Sequence, residues 1–248
     1  IIPVLDYIIG KDPSNPDEET EVPSMSQEQI YRGFTLMIVP AWLGLLAFCG
    51  WAFANTEFSL LGQIGWLLST GVIGGVLAIN VGHELIHKDP KLENWAGGFL
   101  LATVNYAGFK VEHIRGHHVH VSTPEDASSS RYNQGVYHFL PRAMGRNFLN
   151  AWKLEKKYLE RKGKPFISRH NELIWWYAIS AALAVTFGLV FGWVGVVFFL
   201  AQGLFAGATL EVINYIEHYG LHRRLQDNGR YERVTTAHRW NSNYFLTN

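Results

Sequence analysis

Three stretches of the chain carry no charged side chain: residues 36–54, 60–82 and 173–210, of 19, 23 and 38 positions. About 20 apolar residues in a helix cross the hydrocarbon core of a bilayer. The first two stretches therefore predict one span each. The third predicts two, with the turn between Gly188 and Gly195. Buried helices of a soluble protein are the alternative, and so many runs of this length in one chain argue against it. Residues 95–109 are also uncharged, but 15 positions are too few to cross, so they read as a re-entrant or interfacial segment. The fold class expected is an all-α integral membrane protein, a transmembrane helix bundle with four spans in this stretch.

The loops set the orientation. Residues 55–59 contain no Lys or Arg, whereas residues 83–172 hold 14 of the chain's 21 basic residues. Excess Lys and Arg mark the cytoplasmic side, which places 1–35, 83–172 and 211–248 together there. Residues 11–21, with Pro13 and Pro16, read as a solvated acidic loop, and 153–164 as a charged amphipathic helix, solvated or lying at the interface. The chain starts at Ile1 and stops at Asn248 within an apolar-aromatic run, so a single membrane domain over 1–248, cut at both ends, is the expected organisation.

Composition removes several classes of function. Charged residues make up 17%, below the roughly 25% of ordinary soluble domains. So apolar and aromatic a chain is not disordered. One cysteine, Cys49, excludes a disulfide scaffold, a cysteine zinc site and an iron–sulfur cluster held by this stretch alone. A formal charge of zero leaves no electrostatic footprint for nucleic acid.

The 11 histidines are clustered. His83-Glu84-Leu-Ile-His87 ends the second span. Glu112-His113-Ile-Arg-Gly-His117-His118-Val-His120 follows the short apolar segment, and Glu217-His218 with His222 follows the last span. Residues four apart share a helix face, so His83 pairs with His87 and His113 with His117. His118 is turned about 100° from His117, and one helix can then serve two neighbouring metals. Imidazoles without cysteine suit Fe, Zn, Cu or Ni. Glu84, Glu112 and Glu217 stand beside histidines, where a carboxylate can take the second ring N–H of a ligand; they are equally ordinary residues of polar helix ends. His138, His170 and His238 read as isolated.

Two chemistries compete on the residues alone. His83-Glu84-x-x-His87 beside a span fits an intramembrane zinc protease with Glu84 as general base, but that leaves the other two groups unexplained. A dimetal centre activating oxygen uses at least six imidazoles and gives the apolar helices a role in holding a greasy substrate. A transporter offers no reason for so dense a set of ligands, although intramembrane ionisable residues can mark ion paths.

The groups in sequence closely resemble the membrane-bound alkane 1-monooxygenases, non-haem di-iron enzymes of the desaturase/hydroxylase superfamily. The resemblance is carried by His83-Glu-Leu-Ile-His87-Lys, by Glu112-His-Ile-Arg-Gly-His-His118 with its tail Val121-Ser-Thr-Pro-Glu-Asp126-Ala-Ser-Ser-Ser-Arg131, by Asn214-Tyr-Ile-Glu-His-Tyr-Gly-Leu221, and by His238-Arg-Trp-Asn-Ser-Asn243. Pro3-Val-Leu-Asp6 through Asn15-Pro16 resembles the loop after the family's first two spans. The resemblance implies six spans in the whole fold and two irons. It implies His83, His87, His113, His117, His118 and His218 as ligands, three further histidines beyond Asn248, and no role for His120 or His222. It gives Glu84, Glu112, Glu217 and, more weakly, Asp126 and Arg131 the task of orienting ligands. The three-residue gap between His113 and His117-His118 favours a hydroxylase over a desaturase. The implied reaction hydroxylates the terminal carbon of an n-alkane with dioxygen. Electrons come from rubredoxin, reduced through an NAD(P)H-dependent reductase, at the bacterial inner membrane. A xylene-type hydroxylase is the nearest alternative. The basic segment 142–169 suits an acidic rubredoxin, and topology alone explains it equally well.

Overall fold

A computed structural model of the chain describes residues 2–11, 29–240 and 244. Most of the expected acidic loop and the Asn241-Ser-Asn243 motif lie outside the described residues. The described part is helical and has no strands, only isolated bridges at Lys11–Tyr244 and Leu225–Tyr231. We number the helices α1 (Ile2–Ile9), α2 (Gln29–Asn55), α3 (Leu60–Ile86), α4 (Lys91–Thr103), α5 (109–120), α6 (Val136–Arg161) and α7 (Glu172–Glu217).

Helices α2, α3 and α7 are long and apolar enough to cross a membrane. They correspond to the three charge-free runs. Helix α3 starts where the Ser59 side chain accepts the Gly62 N–H (3.2 Å), and it runs past the end of its charge-free run to carry His83. At 46 residues α7 would be about 69 Å if straight, more than twice the hydrocarbon core. It breaks at Gly192 (φ 69°, ψ −164°), a conformation open essentially to glycine alone. The two arms fold back, so that Phe187 packs on Phe198 and Phe199 with ring centres 5.9 and 5.2 Å apart. The break falls inside the turn expected at 188–195.

The outside of these helices is apolar. Leu61, Leu189 and Trp193 are 80%, 82% and 76% exposed. A helix greasy on its outer face is built for hydrocarbon rather than water. The core inside α2, α3, α4 and α7 is made by Trp42, Leu46, Ile79, Leu100, Leu101, Phe198 and Phe199.

The short apolar segment becomes a helical hairpin. Helix α4 enters the bundle, turns at Val104–Gly108 through Asn105 (φ 54°), and α5 leads back out. Val104 and Ala107 at the turn are fully buried. The last carbonyls of a helix lack intrahelical partners, and at such depth water cannot supply them. Here the Ser180 hydroxyl donates to the Ala102 carbonyl (2.8 Å) and the Gln202 amide to the Thr103 carbonyl (3.0 Å). Both donors belong to α7, one from each arm, so α7 clasps the hairpin tip. The expected amphipathic stretch 153–164 forms the end of α6. That helix buries Phe139, Ala143, Asn147, Ala151, Glu155 and Leu159, a four-residue spacing that makes one stripe.

Candidate metal centre

The end of α3, the outward half of α5 and the end of α7 meet at one end of the bundle, and each brings histidines. His83 and His87 project from successive turns of α3, with ring centres 4.9 Å apart. Helix α5 is regular over Phe109–Glu112 and widens to a π-helical turn over His113–His117. In that turn the His118 N–H reaches the His113 carbonyl five residues back. Such wide turns are rare and concentrate at functional sites.

Four imidazoles converge. The Nε2 atom of His113 lies 2.7 Å from that of His83, 3.2 Å from that of His87 and 2.9 Å from that of His118. The ligand atoms of all four lie within 4.8 Å of one another, a group that could hold a metal ion. Two nitrogens bound to one ion at about 2.0–2.1 Å stand roughly 3.0–3.4 Å apart; the His87 distance falls in that range, and the His83 and His118 distances are a few tenths of an ångström shorter, a gap that side-chain rotation can open without rearrangement of the helices. A nitrogen-only set suits Fe, Zn, Cu or Ni.

His117 and His218 form a second group, with ring centres 5.1 Å apart. Asp126 holds the first of these rings, both carboxylate oxygens lying 3.1 Å from His117 Nδ1. Asp126 is itself held by the Ser129 hydroxyl (2.5 Å) and the Ser128 N–H (3.2 Å). A carboxylate can only accept, so His117 carries its proton on Nδ1 and offers Nε2. His218 donates from Nδ1 to the His238 carbonyl (3.2 Å), which leaves its Nε2 free in the same way. The stacked rings of His113 and His117, 5.3 Å apart, join the two groups.

Charge follows from these surroundings. Burial and the neighbouring imidazoles hold His113 far below the usual histidine range, and His118 and His218 are lowered for the same reasons. All three are neutral at pH 7, the form that binds metal. Burial also opposes a charge on His117, but Asp126 outweighs it and raises His117. Asp126 is lowered, because its hydrogen bonds and His117 overcome its own burial. Glu112 is pushed up to about 8, first by burial and then by the charge of Asp126.

The acids expected to orient ligands are placed differently from one another. Asp126, the weaker candidate from sequence, is the one hydrogen-bonded to an imidazole. Glu84 has another partner: its side chain is 56% exposed and pairs with Lys88 (2.7 Å), one turn along the same helix. Glu112 is buried with Oε2 unpartnered, on the side of α5 that packs against Leu154 of α6. Glu217 is half-buried and lines the cavity beside the histidines. Arg131 is exposed. His120 is half-buried outside both groups, and His138, His170 and His222 are exposed.

His118 does not sit where regular helical spacing would put it. On a regular helix it stands about 140° from His113, and the π-turn instead brings it to His113, while His117 turns to Asp126 and His218. His238, read as isolated, is buried and structural: its Nδ1 accepts the Thr235 N–H (3.0 Å), its Nε2 faces Glu232, and its carbonyl orients His218. The neighbouring motif His238-Arg-Trp was the only sequence signal for it. Residues 121–130 are largely buried and form a polar lid pinned by Arg142 to the Ser129 carbonyl (2.9 Å) and by Arg223, whose N–H donates to the Ser122 carbonyl (2.9 Å).

A cavity of about 1490 Å³ opens on these histidines. All six imidazoles line it, together with Asn80 and Asn214, and Val76, Leu210 and Ile213 form its apolar side.

The sequence profile of the fatty acid desaturase family matches residues 58–248. This chain belongs to that family. Over its full length it is 66% identical to alkane 1-monooxygenase 2 of Alcanivorax borkumensis and 60% identical to alkane 1-monooxygenase 2 of Pseudomonas aeruginosa. Across 96% of its length it is 28% identical to the hydroxylase component of xylene/toluene monooxygenase from Pseudomonas putida, of which it covers 62%. The chain spans 65% and 66% of the length of the first two relatives. Within the desaturase family it therefore resembles the alkane monooxygenases far more closely than the xylene enzyme, as its motifs indicate.

Proposed function

We propose that this chain is the membrane-embedded catalytic part of an alkane 1-monooxygenase. The reaction takes RCH₃, O₂, two electrons and two protons to RCH₂OH and water. One observation carries the reading: six imidazoles from three helix ends line a single cavity whose other side is apolar. The identity to alkane 1-monooxygenases across the whole chain supports it.

His83, His87, His113 and His118 would hold one iron, and His117 and His218 contribute to a second, completed by the further histidines that the resemblance implies. Iron held by imidazoles supplies activation of dioxygen and the oxidising power. The remaining tasks belong to the protein. Asp126 and the His238 carbonyl fix the ring orientations of His117 and His218. Val76, Leu210 and Ile213 offer burial to a substrate that has no polar handle, at about 0.8 kcal/mol per methylene. Choice of the terminal carbon then comes from position, because near-attack geometry contributes several kcal/mol. The buried lid 121–130 shields one side of the histidines from water.

The remaining assignments follow from this reading. The chain is one domain with four crossings, α2, α3 and the two arms of α7, and the histidines face the cytoplasmic side of the inner membrane. The exposed Lys153, Lys156, Lys157 and Lys162 of α6 suit an acidic rubredoxin, reduced by an NAD(P)H-dependent reductase. The zinc-protease alternative needs Glu84 at the metal, and Glu84 is turned to Lys88.

The test uses the full-length protein in membranes with rubredoxin, its reductase and n-alkanes. Two irons per chain and 1-alkanol as product are expected. A single zinc, or products hydroxylated away from the chain end, overturns the reading.

A further inference from the structure

Between His113 and His117 stands a residue that faces away from the metal group. Arg115 forks between Glu155 of α6 and Glu172 at the start of α7, the latter at 2.7 Å. Its guanidinium lies 4.1 Å from the ring centre of Tyr158. Glu155 is fully buried, and its other oxygen accepts the Glu172 N–H (3.1 Å) at the first turn of α7. Lys110, one and a half turns earlier on α5, reaches Glu172 (3.2 Å) from the other side. Gly116 is packed so closely that a methyl group there would meet Leu154 of α6 at 2.9 Å.

The middle of the π-turn is thus tied to two separate helices by one planar, bidentate side chain. A π-turn departs from the regular α-helical ladder and is rare, so contacts from outside the helix are needed to favour it over the α form. The α form would swing His118 to about 140° from His113 and dismantle the four-imidazole group, although no ligand had been changed.

We infer that Arg115 is a positioning residue: through Glu155 and Glu172 it locks the turn over His113–His117 in the wide register that places His118 beside His113. The inference rests on the reading of the four-imidazole group as a metal site.

The test is Co(II) titration of the full-length protein in detergent or nanodiscs, followed by ligand-field absorption, with thermal unfolding recorded in parallel. The variants are Arg115→Lys, which keeps the charge without the fork, and the double variant Arg115→Met/Glu155→Gln, which leaves Glu172 paired with Lys110 and no buried charge without a partner. Expected are folded proteins that bind Co(II) at least 10-fold more weakly at the four-imidazole group, with an altered absorption band, Arg115→Lys lying between wild type and the double variant. Folded variants with unchanged Co(II) affinity and spectrum overturn the inference. So does failure of both variants to fold, because the network would then hold the bundle rather than the turn. Failure of the wild-type protein to bind Co(II) instead overturns the reading of the site itself.

Discussion

The two histidine groups are built by different means. In the first, His83, His87, His113 and His118 come from two helices and are aimed by the geometry of those helices, with no hydrogen-bonded carboxylate at any of the four rings among the described residues. In the second, each ring is aimed by an outside partner: His117 by the carboxylate of Asp126 and His218 by the carbonyl of His238. Rigid elements place the first group, and irregular backbone places the second. Loss of one ligand should therefore damage the first group outright, whereas the second should respond in a graded way to residues that never touch metal.

The largest effect is expected for His113→Ala. His113 Nε2 sits within 3.2 Å of the Nε2 atoms of His83, His87 and His118, so its removal opens the centre of the group. Metal analysis should show loss of about one equivalent, with hydroxylation at background, while the exposed His170→Ala changes neither. Equal behaviour of the two variants would remove the distinction between the groups and the rest of the histidines.

Asp126→Asn comes next. The amide can still accept one hydrogen bond from His117 Nδ1 but brings no charge, and it disturbs the contacts to Ser128 and Ser129. Metal affinity at the second group should fall by about 10- to 100-fold, with the first group unaffected. Competition with a chelator, read separately for the tighter and the weaker equivalent, checks this. A loss shared equally by both equivalents would mean that the groups act as one unit.

This contrast also separates what could be read in the sequence from what could not. The long helices were legible because absence of charge over 19 to 38 positions is a property of each segment by itself. The break in α7 was legible for the same reason, since one helix of that length has nowhere to go except back. His83 with His87 was legible because a regular α-helix repeats every 3.6 residues. The partner of His118 was not, because the spacing rule assumes that same repeat and α5 departs from it at His113. Asp126 lies nine residues from His117 and His238 lies 20 from His218. Loops bring both back, and no periodicity encodes that return. Arg115 carried no signal of its own, because Glu155 and Glu172 lie 40 and 57 residues further along the chain.

The smallest effect is expected where sequence adjacency was most suggestive. Glu84 follows His83 directly, but the helix turns it outward to Lys88, and an exposed pair of this spacing contributes only a few tenths of a kcal/mol. Glu84→Gln should leave metal content and the position of the unfolding transition close to wild type, and should lower hydroxylation less than twofold. The same substitution is decisive for protease chemistry, because a general base one residue from a metal ligand cannot be replaced by its amide without loss of turnover. Glu84→Gln therefore tests the contrast at its weakest point. If it lowered metal affinity as far as Asp126→Asn does, the first group would also depend on a carboxylate partner, and helix geometry alone would not account for its construction.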